Sequence, residues 1–428
     1  MPKRRFSGLL QAGLAAMLLA LAGCRDASWI VAWRESGLAL VCASGVLLAL
    51  RVWQRRSPLW PLTLALCVAA SVLSGSWLMR HAWQKQQLFD APPALAQALG
   101  RHFIIGYTDE SELRELIRRG LIGGVFVTRR NLQGHDAESL QRMIAGWQTL
   151  SRQHGFARLL IATDHEGGIV ARMSPPLPSQ PALGTLLSGS DAPARIAMDY
   201  GRQQGEGLAR LGITLNLAPV VDLDHGVRNP DDRYSKISSR ALASSPALVG
   251  TAAAAYCAGL AQRHVQCTFK HFPGLGPVYE DTHADGARIT TPLATLLQHD
   301  LQPFRQLMRN GHSVTMLAHA RLAAVDDSYP ASSSPAVVQT LIRQQWGYNG
   351  VLMTDDLSMG AARDQAGGLD AAVRRALNAG VDILLVSWDP ALYYPLMTAL
   401  LADHGAGRLD PVALARSDAR LRGDAAVQ

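Results

Sequence analysis

Five cysteines in 428 residues leave little room for thiol chemistry. Cys42 and Cys67 fall within long apolar runs, and Cys257 and Cys267 within a helix-like and a strand-like segment, so no disulfide framework is expected. Their spacing suits no metal site, and neither a metal nor an organic cofactor is expected. A Gly-rich dinucleotide fingerprint is missing after the first β-rich run, which removes the usual signal of a nucleotide-binding open sheet. Acidic residues are scarce at one end only: residues 1–85 carry ten Lys and Arg against two Asp and Glu, while the rest of the chain carries 31 against 32. The net charge of +7 therefore belongs to the N-terminus. A nucleic-acid partner for the remainder has no electrostatic support.

What the N-terminus does have is apolar length. Lys3, Arg4 and Arg5 precede an apolar run from Leu9 to Gly23, and two more follow, Gly37 to Leu50 and Leu59 to Met79. The third is long enough to span a bilayer, and the second reaches that length with its flanking Arg51, Val52 and Trp53. Residues 1–85 are thus expected to be a membrane anchor, with helices near 37–53 and 59–79. Arg51, Arg55 and Arg56 form a basic loop between these two. By the positive-inside rule that loop and the N-terminus are cytoplasmic, and residues 86–428 lie on the periplasmic or extracytoplasmic side of a bacterial inner membrane. Leu21-Ala22-Gly23-Cys24 closes the first run in two ways that remain open here: a lipoprotein cleavage box that would lipidate Cys24, or the end of an uncleaved helix.

From about residue 100 short β-rich runs alternate with longer helical stretches. The runs are 102–105, 123–128, 158–163, 214–217, 265–269, 314–318, 350–354 and 381–386, and helices such as 111–120, 194–211 and 245–264 lie between them. Eight βα units over some 320 residues predict an α/β fold, a (β/α)8 TIM barrel, rather than two domains. A doubly wound open sheet is the alternative. A barrel demands that functional groups gather at the C-terminal ends of its strands. Asp164-His165-Glu166, Asp222, Lys270-His271, His319 and Asp355-Asp356 all follow predicted strands.

The stretch Lys270-His271-Phe272-Pro273-Gly274-Leu275-Gly276 followed by Asp281-Thr282-His283 concentrates this polarity. Pro273, Gly274 and Gly276 impose a turn after an apolar run. Asp281 and His283, one residue apart, suit a carboxylate that fixes an imidazole tautomer for general acid/base work. Simpler roles also fit single residues. Asp164 and Asp222 suit helix caps, Asp356 suits bonds to backbone or to the Lys270 region, and His319 suits a buried, hydrogen-bonded ring. His264 and His312 point to no function.

Four motifs in order resemble glycoside hydrolase family 3, specifically its single-barrel β-N-acetylglucosaminidase (β-N-acetylhexosaminidase) branch, over roughly residues 100–425. They are Asp164-His165-Glu166-Gly167-Gly168 with Arg172, Asn216 to Asp222, Lys270 to Gly276 with Asp281 and His283, and Thr354-Asp355-Asp356-Leu357-Ser358-Met359. The resemblance implies Asp355 as nucleophile, His283 as acid/base with Asp281 orienting it, and Asp164, Arg172, Arg240, Lys270 and His271 as sugar ligands. It implies retaining hydrolysis of terminal non-reducing β-linked N-acetylglucosamine, with peptidoglycan fragments as the expected glycan substrate. Two family positions differ: Leu275 stands where a second histidine is usual, and Ile169 where an arginine often is. A β-glucosidase or phosphorylase of the same family, or a catalytically silent envelope carbohydrate-binding protein, is the alternative.

Overall fold

The computed structural model describes residues 2–27, 30–55, 59–309 and 313–423. Arg56 of the basic loop and His312 lie outside the described residues. The chain divides into two compact units, Met1–Ala91 and Pro92–Gln428.

The first unit holds the helices Pro2–Gly23, Arg34–Arg55 and Trp60–Asp90. Two stretches, Val31–Gln54 and Trp60–Asp90, are long and apolar enough to cross a membrane, at 24 and 31 residues. The last helix runs well past Met79, where the apolar run ends. Small residues let the second and third helices approach: a Cβ at Gly45 would come within 2.4 Å of Ser71 Oγ. Ser71 Oγ donates to the Cys42 carbonyl at 3.1 Å across the same contact. The outward residues, among them Leu40, Leu47, Leu62 and Val72, are exposed. Such a surface suits hydrocarbon better than water.

In the second unit all eight predicted strands form. They are β1 Phe103–Ile105, β2 Gly124–Phe126, β3 Leu160–Thr163, β4 Leu215–Asn216, β5 Gln266–Phe272, β6 Val314–Leu317, β7 Leu352–Thr354 and β8 Leu384–Val386. Each pairs in parallel with the next from β1 to β7, and β8 pairs with β1. Between β7 and β8 the Met353–Ile383 bridge and the bond from Ile383 N to Leu352 O at 3.0 Å bring the ends together. The result is a nearly closed eight-stranded parallel barrel, with the open doubly wound alternative set aside. Its interior is filled by Ile104, Phe126, Ala162, Leu215, Met316, Met353 and Leu385, inward residues from seven strands.

Local chemistry fixes the helices between the strands. Asp109, Asp136, Ser245 and Asp410 cap the starts of Glu110–Arg118, Ala137–Gln153, Pro246–Ala261 and Pro411–Arg422 by accepting backbone N–H bonds. Gly212, at φ 88°, ends Pro193–Leu211 in a left-handed turn that a side chain would strain. The closing helix Pro411–Arg422 is fastened to β8 by buried Asp382, which accepts from Ser417 Oγ at 2.7 Å and Arg420 Nε at 2.9 Å.

The expectation for the cysteines is corrected. Cys257, in the helix Pro246–Ala261, and Cys267, in β5, are joined as a disulfide with Cα atoms 5.5 Å apart. The pair forms because this helix folds back along the strand that follows it, an approach that neither segment's own pattern reveals. Cys24, Cys42 and Cys67 are free.

Three buried histidines brace the barrel. His102 Nδ1 bonds the Asp382 carbonyl, His165 Nδ1 accepts the Met173 N–H, and His319 bonds Ser332 Oγ and the Asp356 carbonyl. Burial disfavours their cations, holding His102 and His319 below the ordinary imidazole range and His165 down at about 4. The unfolded chain thus binds more protons than the folded one below about pH 6.5, so stability is full above that pH and is lost on acidification. His225 opposes this, because its hydrogen bond to Asp300 raises it. Thermal denaturation at fixed ionic strength should show a melting temperature that falls steadily from pH 6.5 towards pH 4, at about 1 kcal/mol per pH unit for each uncompensated histidine. A melting temperature that stays flat or rises across that window would contradict the neutral buried state.

Candidate active site

The first motif becomes a tight hairpin at the exit of β3. His165–Gly167 pairs antiparallel with Val170–Ala171, and the turn needs Gly167 and Gly168 at φ 92° and 57°. A Cβ on Gly167 would also meet Tyr200 OH at 1.9 Å. Asn216, the last residue of β4, clamps the hairpin: its Oδ1 accepts the His165 N–H at 3.0 Å and its Nδ2 donates to the His165 carbonyl at 2.9 Å. This brings Asp164 and Glu166 over the barrel's C-terminal mouth.

Lys270, at the end of β5, is only 1% exposed. A buried ammonium requires partners, and it has two: Asp164 Oδ1 at 2.5 Å and Glu166 Oε1 at 2.6 Å. Arg240, from the short helix Ile237–Arg240, grips Glu166 bidentately, with Nε to Oε2 at 2.9 Å and Nη2 to Oε1 at 2.6 Å. Burial alone would raise both carboxyls, but the Lys270 and Arg240 cations hold Asp164 and Glu166 below the usual carboxylate range, with Arg172 also acting on Asp164. Two acids and two cations leave the cluster neutral. Asp164 Oδ2 remains free of partners, and the Arg172 guanidinium forms no hydrogen bond or ion pair among the described residues. These open hydrogen-bonding positions suit a polyhydroxylated ligand.

Asp222, fully buried beyond β4, accepts three bonds: from His271 N at 3.1 Å, Leu275 N at 2.7 Å and His271 Nδ1 at 2.6 Å. It therefore sets the His271 tautomer, leaving Nε2 as the acceptor within 3.4 Å of Arg240 Nη2. Neither Asp164 nor Asp222 caps a helix, which corrects that simpler reading. Leu275 is buried, so its side chain packs inside the loop, while its backbone N–H, which any residue but proline would supply, bonds Asp222.

Farther along the same loop Asp281 accepts five bonds. Oδ1 takes His283 Nδ1 at 3.0 Å, His283 N at 3.1 Å and Ser235 Oγ at 3.0 Å, and Oδ2 takes Arg233 N at 3.1 Å and Tyr234 N at 3.2 Å. Burial works against its charge, but these bonds prevail and depress its carboxyl far below the usual range. His283 itself is exposed, with Nδ1 committed to Asp281 and Nε2 open. Its carbonyl accepts the Gly360 N–H at 2.7 Å, docking the loop on the turn after β7. Only glycine fits there, because a Cβ would meet Ala284 O at 2.2 Å.

That turn begins with Asp355, half-buried at the end of β7. Burial would raise its carboxyl, yet the neighbouring imidazoles of His271, His319 and His283 and the Asp356 N–H at 2.8 Å hold it low. An anionic oxygen and an oriented imidazole thus share the mouth. Asp356 is structural, as one simple reading expected, but its partners are Ser358 N, Ser387 N and Oγ, and Trp388 N, not the Lys270 region. Every sequence-predicted site residue lies at this one end of the barrel. Glu166, Asp222 and Ser235 complete it and were absent from the predicted set. The weight of Glu166 becomes visible only with the burial of Lys270 and Arg240, two cations that one Asp cannot neutralise. Among the described residues no cluster of three or more His, Cys, Asp or Glu is arranged to hold a metal ion.

Comparison with known proteins bears on this geometry. Residues 88–420 match the Glycosyl hydrolase family 3 N terminal domain. A Beta-hexosaminidase of Hydrogenovibrio crunogenus is 35% identical over 281 residues, 65% of this chain and 75% of that protein. A glycoside hydrolase family 3 beta-N-acetylglucosaminidase from Paenibacillus sp. superposes with a TM-score of 0.70 at 29% identity, covering 77% of this chain and 61% of that one. The chain thus spans less than two thirds of that relative. Beta-N-acetylhexosaminidase from Beutenbergia cavernae superposes with a TM-score of 0.63 at 29% identity, covering 77% of this chain and 96% of that one. A barrel with paired acids and cations at its mouth, matched over residues 88–420, belongs to glycosyl hydrolase family 3.

Proposed function

We propose that this chain is a β-N-acetylhexosaminidase that removes terminal non-reducing β-linked N-acetylglucosamine with retention of configuration. The observation that carries the reading is the Asp281–His283 pair, whose loop docks through the His283 carbonyl on the turn that begins with Asp355. Asp355 attacks the anomeric carbon as the glycosidic C–O bond breaks, and the departing oxygen takes a proton from His283 Nε2. Water then attacks the same carbon, gives a proton to His283 and releases Asp355. Asp281 keeps the Nδ1–H in place through both steps. Asp164 and Arg172 offer free valences to sugar hydroxyls, and Lys270 and His271 complete that face. Arg240 joins it mainly by holding Glu166, because three of its nitrogens already serve Glu166, the Ser235 carbonyl and His271.

Replacement of Asp355 by Ala should lower kcat on the 4-nitrophenyl β-N-acetylglucosaminide by about 10⁴-fold or more. His283→Ala should cost about 10²-fold or more on an alkyl glycoside, and less on the aryl one, whose leaving group needs little protonation. Equal rates in wild type and both variants would remove these roles. Faster turnover of the β-glucoside, or a strict need for phosphate, would redirect the substrate or the reaction.

The two apolar helices, the basic residues flanking them and the Cys257–Cys267 disulfide together support a membrane anchor with the barrel on the extracytoplasmic side, where disulfides persist and peptidoglycan fragments are at hand. In intact spheroplasts added protease should then digest the barrel, and alkylation without reduction should leave Cys257 and Cys267 unlabelled. A protected barrel with both thiols labelled would place it in the cytoplasm.

A further inference from the structure

Among the described residues of the barrel unit, three aromatic rings stand exposed: Tyr234, Tyr279 and Trp388. All three follow barrel strands and lie on loops at the mouth, where the polar site is. An aromatic ring exposed in water loses stabilisation that a covering group would restore. Two of these rings are also fixed to the catalytic machinery through their backbones.

Tyr234, 58% exposed, has its ring centroid 5.5 Å from that of His283. Its N–H bonds Asp281 Oδ2 at 3.2 Å and Asp232 Oδ1 at 3.1 Å, so the carboxylate that orients the imidazole also sets the base of this ring. Trp388, 46% exposed, follows β8. Its N–H bonds Asp356 Oδ2 at 3.0 Å, next in sequence to Asp355. The Arg130 guanidinium lies 5.1 Å over its ring, and Arg130 Nη2 is tied to the Ser387 carbonyl at 3.1 Å. Both residues are therefore anchored through their backbones before any ligand arrives, which limits the ordering cost of binding.

The polar groups dictate which part of a substrate reaches them. Hydroxyls of the cleaved sugar engage Asp164 and Arg172 beyond β3 and Lys270 and His271 at β5, while its anomeric carbon faces Asp355 at β7. The leaving group then extends from the oxygen that His283 protonates, away from the charged cluster. Tyr234 is beside that imidazole and Trp388 beside the Asp355–Asp356 turn. A pyranose ring has a face of C–H bonds that packs on an aromatic face, whereas a small alkyl group has little to offer either ring.

Building on the hydrolytic reading above, we propose that Tyr234 and Trp388 form the walls of the leaving-group subsite and select a saccharide over a small alkyl aglycone. The test is the ratio of kcat/KM for N,N′-diacetylchitobiose to that for methyl β-N-acetylglucosaminide, in the full-length protein. Tyr234→Ala and Trp388→Ala should each lower that ratio about tenfold, the upper end of what one aromatic contact contributes. Tyr234→Phe and Trp388→Phe, which keep a ring and the backbone bond, should hold it within about threefold of wild type. A ratio unchanged in either alanine variant overturns the proposal, and so does a common drop on both substrates, which would mean that the ring only props His283. If wild type cleaves neither substrate, the hydrolytic reading itself fails, a result distinct from either of these.

Discussion

Glu166 is an acid that the barrel has enclosed with two cations, and the rest of the mouth is arranged around it. Its carboxylate receives Lys270 and both arms of Arg240 with almost no exposure to water. Separating any one of these charges from the others would leave an uncompensated ion in a low-dielectric interior, which costs far more than the intact cluster contributes. The cluster therefore acts less as a source of stability than as a constraint on geometry. It requires the hairpin after β3, the end of β5 and the helix Ile237–Arg240 to meet at one point.

The constraint extends to the catalytic pair without a break. Arg240 Nη1 donates to the Ser235 carbonyl at 2.8 Å, Ser235 Oγ donates to Asp281, and Asp281 holds His283. The groups proposed to contact the sugar and those proposed to move the proton thus share one hydrogen-bonded chain. Asp355 enters just beyond β7 and is linked to that chain electrostatically, since the His271 and His283 imidazoles help to hold its carboxyl low. Beside it, Asp356 orders the turn after β8 by accepting the Ser387 and Trp388 N–H groups.

The barrel was readable in the sequence because its signals are local. β-rich runs recur eight times with helical stretches between them, and each reports on its own segment. The motif residues were readable because they follow strands, and barrel geometry gathers strand ends. What escaped depends on contacts between segments. Cys257 and Cys267 pair through the packing of a helix on a strand, and Asp222 takes two backbone N–H groups from a loop some fifty residues away. Asp164 and Asp222 looked equally suited to capping helices, since an Asp after a strand has no local feature that distinguishes an N–H partner from a buried cation. Glu166 lay in plain view within its motif, but its importance follows only from the burial of Lys270 and Arg240.

The most direct test of this account is the stability and activity of Glu166→Gln, which keeps the side chain's shape and removes its charge. Two buried cations would then face Asp164 alone. Chemical denaturation should show a loss of about 3–5 kcal/mol, the usual cost of removing one partner from a buried ion pair, together with a clear fall in kcat/KM although Asp355 and His283 are untouched. A Glu166→Gln protein with wild-type stability and wild-type kcat/KM would contradict the claim that this enclosed charge organises the site.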